Sequence, residues 1–257
     1  MNILNKINIF KPPGKNLTVR DDDTFIVSYP KSGNTWLRLF IYSYYYKDTT
    51  FKSIHKKIPD IYKQPKYLFN FAKSPRLIKS HEPYNSMYKK VIYIVRHPYF
   101  VSKSYLNFFR KYNRAYKDLS YESFIKMFNN DELDSFGNWV NHVSGWINSD
   151  LKENFLMVRY ENLLNTPRSE FIKIINFFYG SYEETKIDYA ILQTEFSRLK
   201  NAEVNNKMNL KMIPKGNSNY NFFNIGKNII NQDEYKIFKK NISSEFKNLS
   251  NTLGYEI

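Results

Sequence analysis

The sequence predicts a single α/β domain: a parallel sheet with helices on both faces. Short, fully apolar runs of strand length alternate with helix-like stretches, the pattern of strands buried on both sides. Each run ends in a polar residue, at Lys31, His81, Arg96 and Tyr160. The chain is also long enough to bury a sizeable core, with 257 residues of which 42% are hydrophobic. Its 22 Tyr and 21 Phe exclude a disordered chain. With no cysteine, disulfides, thiolate metal sites and cysteine nucleophiles are excluded.

The first strand is predicted over Thr24-Phe25-Ile26-Val27-Ser28-Tyr29. Pro30-Lys31-Ser32-Gly33 turns it into a helix that opens at Asn34 and runs through Thr35 to Tyr46. Residues 49–75 mix Lys, Pro and aromatics without a clear period, which predicts a covering segment with short helices. Arg76 to His81, Lys90 to Val95 and Asn154 to Arg159 read as further strands. Helices are expected from Pro98 to about Arg110, over 120–129 and 135–149, from Tyr160 onward, and over 167–179, where Pro167 sits in the first turn. Residues 205–228, rich in Asn with Pro214, Gly216 and Gly226, read as a long functional loop that covers a ligand. Neither a repeat nor a linker divides the chain, so residues 1–257 form one domain with an N-terminal extension over 1–20.

A strand that turns sharply into a helix leaves backbone N–H groups unpaired, with the positive end of the helix dipole behind them. Lys31 adds a full charge, Ser32 and Thr35 add hydroxyls, and Trp36 offers a flat face beside them. The segment is an anion cradle. It is not the common nucleotide loop G-x-x-x-x-G-K-[ST], because Lys31 precedes the single glycine, Gly33. In the strand 76–81, alternation puts Lys79 and His81 on one side, so a cation and a proton acceptor converge beyond the sheet. Arg96 and Ser104 can bind a second phosphate together, one as a planar fork and the other as a hydroxyl.

These motifs resemble the sulfotransferases that use 3′-phosphoadenosine 5′-phosphosulfate (PAPS), of the small, soluble type found in the cytosol and in bacteria. The resemblance runs in the family's order from residue 24 to about 226. Lys31, Ser32, Gly33, Asn34, Thr35 and Trp36 match the phosphosulfate loop, whose tryptophan stacks on the adenine. Lys79-Ser80-His81 matches its Lys-Thr-His, which implies that His81 is the catalytic base. Arg96 and Ser104 match the 3′-phosphate pair, and Trp139, His142, Val143 and Trp146 match a helix ahead of the fourth strand. Tyr160-Glu161-Asn162 resembles Tyr-Glu-Asp, whose tyrosine faces the adenine. Thr194-Glu195-Phe196 resembles a Thr-Ser-Phe that closes over the base, and Lys215-Gly216 matches the end of Arg-Lys-Gly at the 3′-phosphate. Three departures stand out. Pro214 replaces the family arginine, Tyr220 replaces a usual Trp, and the C-terminal dimerisation pattern is not recognisable around 224–234, which leaves the oligomeric state open.

The resemblance implies a P-loop-like nucleotide-binding transferase. It would move a sulfuryl group from PAPS to a hydroxyl or amine, release 3′-phosphoadenosine 5′-phosphate (PAP), and use no metal. His81 would take the acceptor proton while Lys79 and Lys31 stabilise developing charge. Two other readings are a P-loop-like kinase and a non-catalytic PAP or nucleotide binder on the same fold. The kinase needs an acidic metal ligand where the third strand delivers Arg96. Aromatics at 51–74 (His55, Pro59 to Tyr62, Tyr67, Phe69 and Phe71), with parts of 106–117, are expected to wall the pocket of a small-molecule, lipid or glycan acceptor. The net charge of +15 is spread as scattered lysines, which does not point to nucleic acid. No apolar stretch reaches the length of a membrane span. The first 17 residues lack the apolar core of a signal peptide or Golgi anchor, so a cytoplasmic protein is expected.

Overall fold

The computed structural model describes residues 17–47, 53–62, 69–70, 72–204 and 229–257. Four strands, β1 (Thr24–Ser28), β2 (Leu77–Ser80), β3 (Lys90–Val95) and β4 (Phe155–Arg159), pair in parallel in the order β2-β1-β3-β4. Thr24 lies opposite Leu77 and Lys90, and Val91 opposite Phe155. The predicted strands are therefore all present; β3 has the predicted bounds, and the other three are shortened by a residue or two at their ends.

Alternation along β1 and β3 divides the interior into two cores. Phe25, Val27, Val91, Tyr93 and Val95 face one side. There they meet α3 (Pro98–Tyr112), α4 (Tyr121–Asn129), α5 (Trp139–Ile147), α10 (Gln232–Asn241) and α11 (Ser244–Thr252). Ile26, Ile92, Ile94 and Val158 face the other side. Their partners are α1 (Asn34–Tyr46), α2 (Ile54–Lys57), α6 (Tyr160–Asn165), α7 (Pro167–Tyr179), α8 (Glu184–Gln193) and α9 (Phe196–Val204). A strand covered on both faces has no polar side, which is why these runs read as continuously apolar.

Local signals set the helix boundaries. Pro98 opens α3, with His97 accepting from the Tyr99 N–H, and Ser120 caps α4 by accepting from Ser123. The helix expected over 135–149 begins only at Trp139. Gly137 holds a left-handed conformation (φ 82°), and Asn138 caps the next turn. At the amino ends of the strands, Arg76 donates to Asp23 Oδ1 (2.6 Å) and also to the carbonyls of Phe69 and Thr18. That buried pair staples β1 to β2 at the end opposite the loops discussed next.

Candidate active site

Residues from four strand ends meet at the carboxyl edge of the sheet, where α/β proteins bind ligands. After β1, Lys31 turns into the left-handed region (φ 71°), and Gly33 does so more strongly (φ 101°). A Cβ on Gly33 would lie 2.4 Å from the Tyr160 ring, so only glycine fits this turn. Ser32 is buried and its Oγ has no hydrogen-bond partner among the described residues; the same holds for Arg96 Nε. Arg96 Nη1 donates to the Lys31 carbonyl (3.1 Å), and the guanidinium lies over the Tyr160 ring at 4.4 Å. Two orphaned polar atoms beside a helix N-terminus are what an anionic group would satisfy.

The Lys31 ammonium stands over Phe108, 4.7 Å from its centroid. Burial, then the charges of Arg96 and Lys111, push its pKa down to about 7. Asn34 is structural as well as positioned at the cradle, donating to Ile26 O (3.1 Å) and Ser28 Oγ (3.3 Å). Thr35 is half-buried at the start of α1, and Ser104 is half-buried on α3.

His81 follows β2 and is 8% exposed. Its Nδ1 lies 2.7 Å from the Ser28 carbonyl, which can only accept. Nδ1 therefore carries the proton, and Nε2 keeps its lone pair. Burial and then the Lys79 charge hold the imidazolium form well below its usual pKa, so His81 is a neutral acceptor near pH 7. Behind it, His142 Nε2 donates to the His81 carbonyl (3.1 Å) and Trp146 Nε1 to the Glu82 carbonyl (2.9 Å). Tyr93 donates to His142 Nδ1 (2.9 Å), fixing that ring's tautomer. The helix containing Trp139 and Val143 thus clamps the backbone that carries the base.

Two of these side chains are engaged by neighbouring protein groups. Lys79 was expected to aim at a developing charge beyond the sheet. Its Nζ instead sits 3.2 Å from Asp60 Oδ2, both side chains nearly inaccessible, and 4.8 Å from the Tyr62 centroid. Trp36 is expected to offer a flat face to the adenine. It is buried against Tyr160, Phe171 and Phe196, and its Nε1 donates to the Thr194 carbonyl (2.9 Å). Thr194 spends its own hydroxyl on Ala190 O (2.7 Å). Trp36, Tyr160, Thr194 and Phe196 are nonetheless one cluster, as their sequence motifs require. Lys215 and Gly216, with the loop 205–228 and Tyr67 and Phe71, lie outside the described residues.

The sequence reading missed the groups around the base. Tyr62 accepts the His81 N–H at its hydroxyl (3.0 Å), and Phe136 packs edge-on to both rings. Glu161 accepts from the His97 N–H and the Tyr255 hydroxyl, docking the C-terminus beside β4. Phe136 lies three residues ahead of the motif that begins at Trp139 and Tyr255 lies beyond every motif, and no local signal marks the role of either. Tyr62 stood within the expected acceptor wall without an assigned task.

An anion cradle joined to a neutral imidazole defines a group-transfer enzyme acting on an anionic donor. The sulfotransferase domain family matches residues 21–249. Human sulfotransferase 1E1 is 28% identical over 246 residues, covering 89% of this chain and 78% of that one. The 3-beta-hydroxysteroid sulfotransferase of Cavia porcellus is 32% identical over 200 residues, covering 73% and 69%. Mouse sulfotransferase SULT7A1, solved with PAP, shares the fold with a TM-score of 0.68 at 21% identity, over 90% of this chain and 87% of that one. The chain belongs to the sulfotransferase family and is an enzyme of PAPS-dependent sulfuryl transfer. The kinase and non-catalytic readings are set aside.

Proposed function

We propose that the enzyme transfers the sulfuryl group of PAPS to a small-molecule hydroxyl or amine, with His81 as the general base. The observation that carries this is the Ser28–His81 hydrogen bond, which fixes Nδ1–H and leaves Nε2 as the acceptor beside the cradle. PAPS supplies an activated sulfuryl group and a phosphate leaving group. On this side of the reaction, Lys31, Ser32, Thr35 and the N–H groups around Gly33 and Asn34 hold the 5′-phosphosulfate. Arg96 and Ser104, with Lys215 and Gly216, hold the 3′-phosphate. Thr194 and Phe196 keep Trp36 and Tyr160 packed at the adenine end. Lys31 neutralises charge arising on the departing phosphate, without need of a metal ion.

Tyr62 and Phe136 beside His81 support an acceptor that carries an apolar ring next to its nucleophile. The Cavia porcellus relative is named for a hydroxysteroid, an alcohol of that description. A lipid or glycan acceptor is the second choice, to be separated by screening a phenol, a sterol alcohol, an alkyl amine and a glycan. The described residues include no helix long and apolar enough to cross a membrane.

The test of the base is His81→Ala. A general base contributes roughly 10²–10⁴ in rate, so turnover should fall by that factor while PAP still raises the melting temperature as in the wild type. A folded His81→Ala enzyme with near-normal turnover removes His81 from the role.

A further inference from the structure

Asp60 lies well upstream of β2 in sequence, yet it is stitched to it. Lys79 N–H donates to the Pro59 carbonyl (2.9 Å) and Ile61 N–H to the Lys79 carbonyl (3.2 Å), so Asp60 pairs with Lys79 as a one-residue parallel strand. Its Oδ1 accepts from the Tyr62 N–H (3.0 Å), and its Oδ2 meets the Lys79 ammonium at 3.2 Å. The Arg38 guanidinium, fully buried, donates to the nearby Ile58 carbonyl, and its charge acts on Asp60 together with that of Lys79. Burial opposes ionisation of Asp60. Lys79 and Arg38 outweigh that and hold its carboxyl down to about 2, so it is charged at every working pH. From this position a short path leads to the base. Lys79 lies over the Tyr62 ring, and the Tyr62 hydroxyl accepts the His81 backbone N–H.

We infer that Asp60 is a positioning residue for sulfuryl transfer, its carboxylate fixing the Lys79 ammonium and, with it, Tyr62 and the His81 end of β2. Lys79 then serves the base as a fixed charge, held from behind by Asp60. The inference rests on the reading of His81 as the base. It adds a residue that belongs to none of the sequence motifs and whose effect passes through Lys79.

Asp60→Asn is the informative substitution. The amide oxygen can still accept from Tyr62 N–H, so the change removes the charge and keeps that hydrogen bond. Rates are measured with the acceptor that turns over fastest among a phenol, a sterol alcohol and an alkyl amine, per PAP-binding site. Asp60→Asn should lower kcat at least tenfold with KM for PAPS and affinity for PAP within about twofold, and Asp60→Glu should recover part of the loss. In a Lys79→Met background the same Asp60→Asn change should alter kcat less than twofold, because its route of action is gone. Removing one member of a buried ion pair can prevent folding. If the single variant does not fold, Lys79→Met and the double variant carry the comparison. Additive losses, or a folded Asp60→Asn enzyme of normal kcat, overturn the inference. The base reading fails separately, through an active His81→Ala, whatever the Asp60 variants do.

Discussion

At the scale of the single residue, Lys31 shows how a loop makes a charge conditional. Its backbone is bent into a conformation that non-glycine residues adopt at a cost. Its ammonium is left against Arg96 and Lys111 with a pKa near 7. An anion placed on the cradle reverses that balance and draws the pKa back up. At pH 8, then, binding of PAP should be accompanied by uptake of about one proton per site. Calorimetry in buffers of different ionisation enthalpy measures this directly. Lys31→Met should abolish the uptake, and a wild type showing none would mean that Lys31 does not face the bound phosphate. Residues like Lys31, Gly33 and His81 were legible in the sequence because they sit in short, ordered motifs at strand ends. Asp60 stood within the expected acceptor wall, but its pairing with Lys79 was not legible, nor was the place of Phe136, since both arise from long-range packing that leaves no local pattern.

Among the elements, α5 does the most for the site without entering it. Its N-terminus is capped by Asn138, and two ring N–H groups hold successive carbonyls after β2. Trp146→Phe keeps an aromatic ring against Tyr88 and Tyr93 but removes the indole N–H that donates to the Glu82 carbonyl. The expected destabilisation is about 0.5–1.5 kcal/mol, the usual net contribution of one hydrogen bond, with a lower kcat. Chemical unfolding and kinetics on one preparation test both parts. Unchanged stability would show that the carbonyl has another partner. The strands β1, β2 and β3 and the helices α1, α3, α4 and α7 could be read from sequence because each buries a broad apolar face; β4 and α6 bury little and are legible from an apolar run and the Tyr160-Glu161-Asn162 motif that follows it. The terminal pair α10 and α11 escaped. In α10 only Phe238 is buried, and in α11 only Phe246 and Ser250, among many Lys and Asn, so their periodicity is faint.

For the molecule as a whole, two buried groups make opposing contributions to the pH dependence of stability. Burial raises the Asp134 carboxyl, which accepts from the Tyr105 hydroxyl and the Phe136 N–H, to about 7. Burial likewise lowers His142 to about 4. A raised carboxyl favours the folded state fully below the unfolded pKa, near 4, and that contribution fades as pH climbs to 7. A lowered histidine works in the other direction, its contribution present above 6.5 and lost as pH falls towards 4. Between these limits the two slopes, each on the order of 1.4 kcal/mol per pH unit, largely cancel. Asp134→Asn removes one of them. Its urea midpoint should rise more steeply than that of the wild type from pH 4 to 6.5 and stay above it at pH 8. Parallel curves for the two proteins would show that Asp134 is not protonated in the fold.

The contact between Ser28 and His81 has a consequence for how the enzyme can change. Val27 is the last β1 residue aligned with β2, opposite Ser80, so Ser28 and His81 are the next rung of the ladder. There an imidazole takes the place of a peptide N–H. The tautomer of the base is thus indexed to strand register, and sliding β2 by one residue would turn His81 to the opposite face and leave its lone pair on the wrong nitrogen. Between the strands, a change in length that keeps that rung, the cradle at 31–36 and the Asp60 bridge to Lys79 leaves the base in place. An inserted or deleted residue within β1 or β2 would displace the base and exchange the side chains that face the two cores.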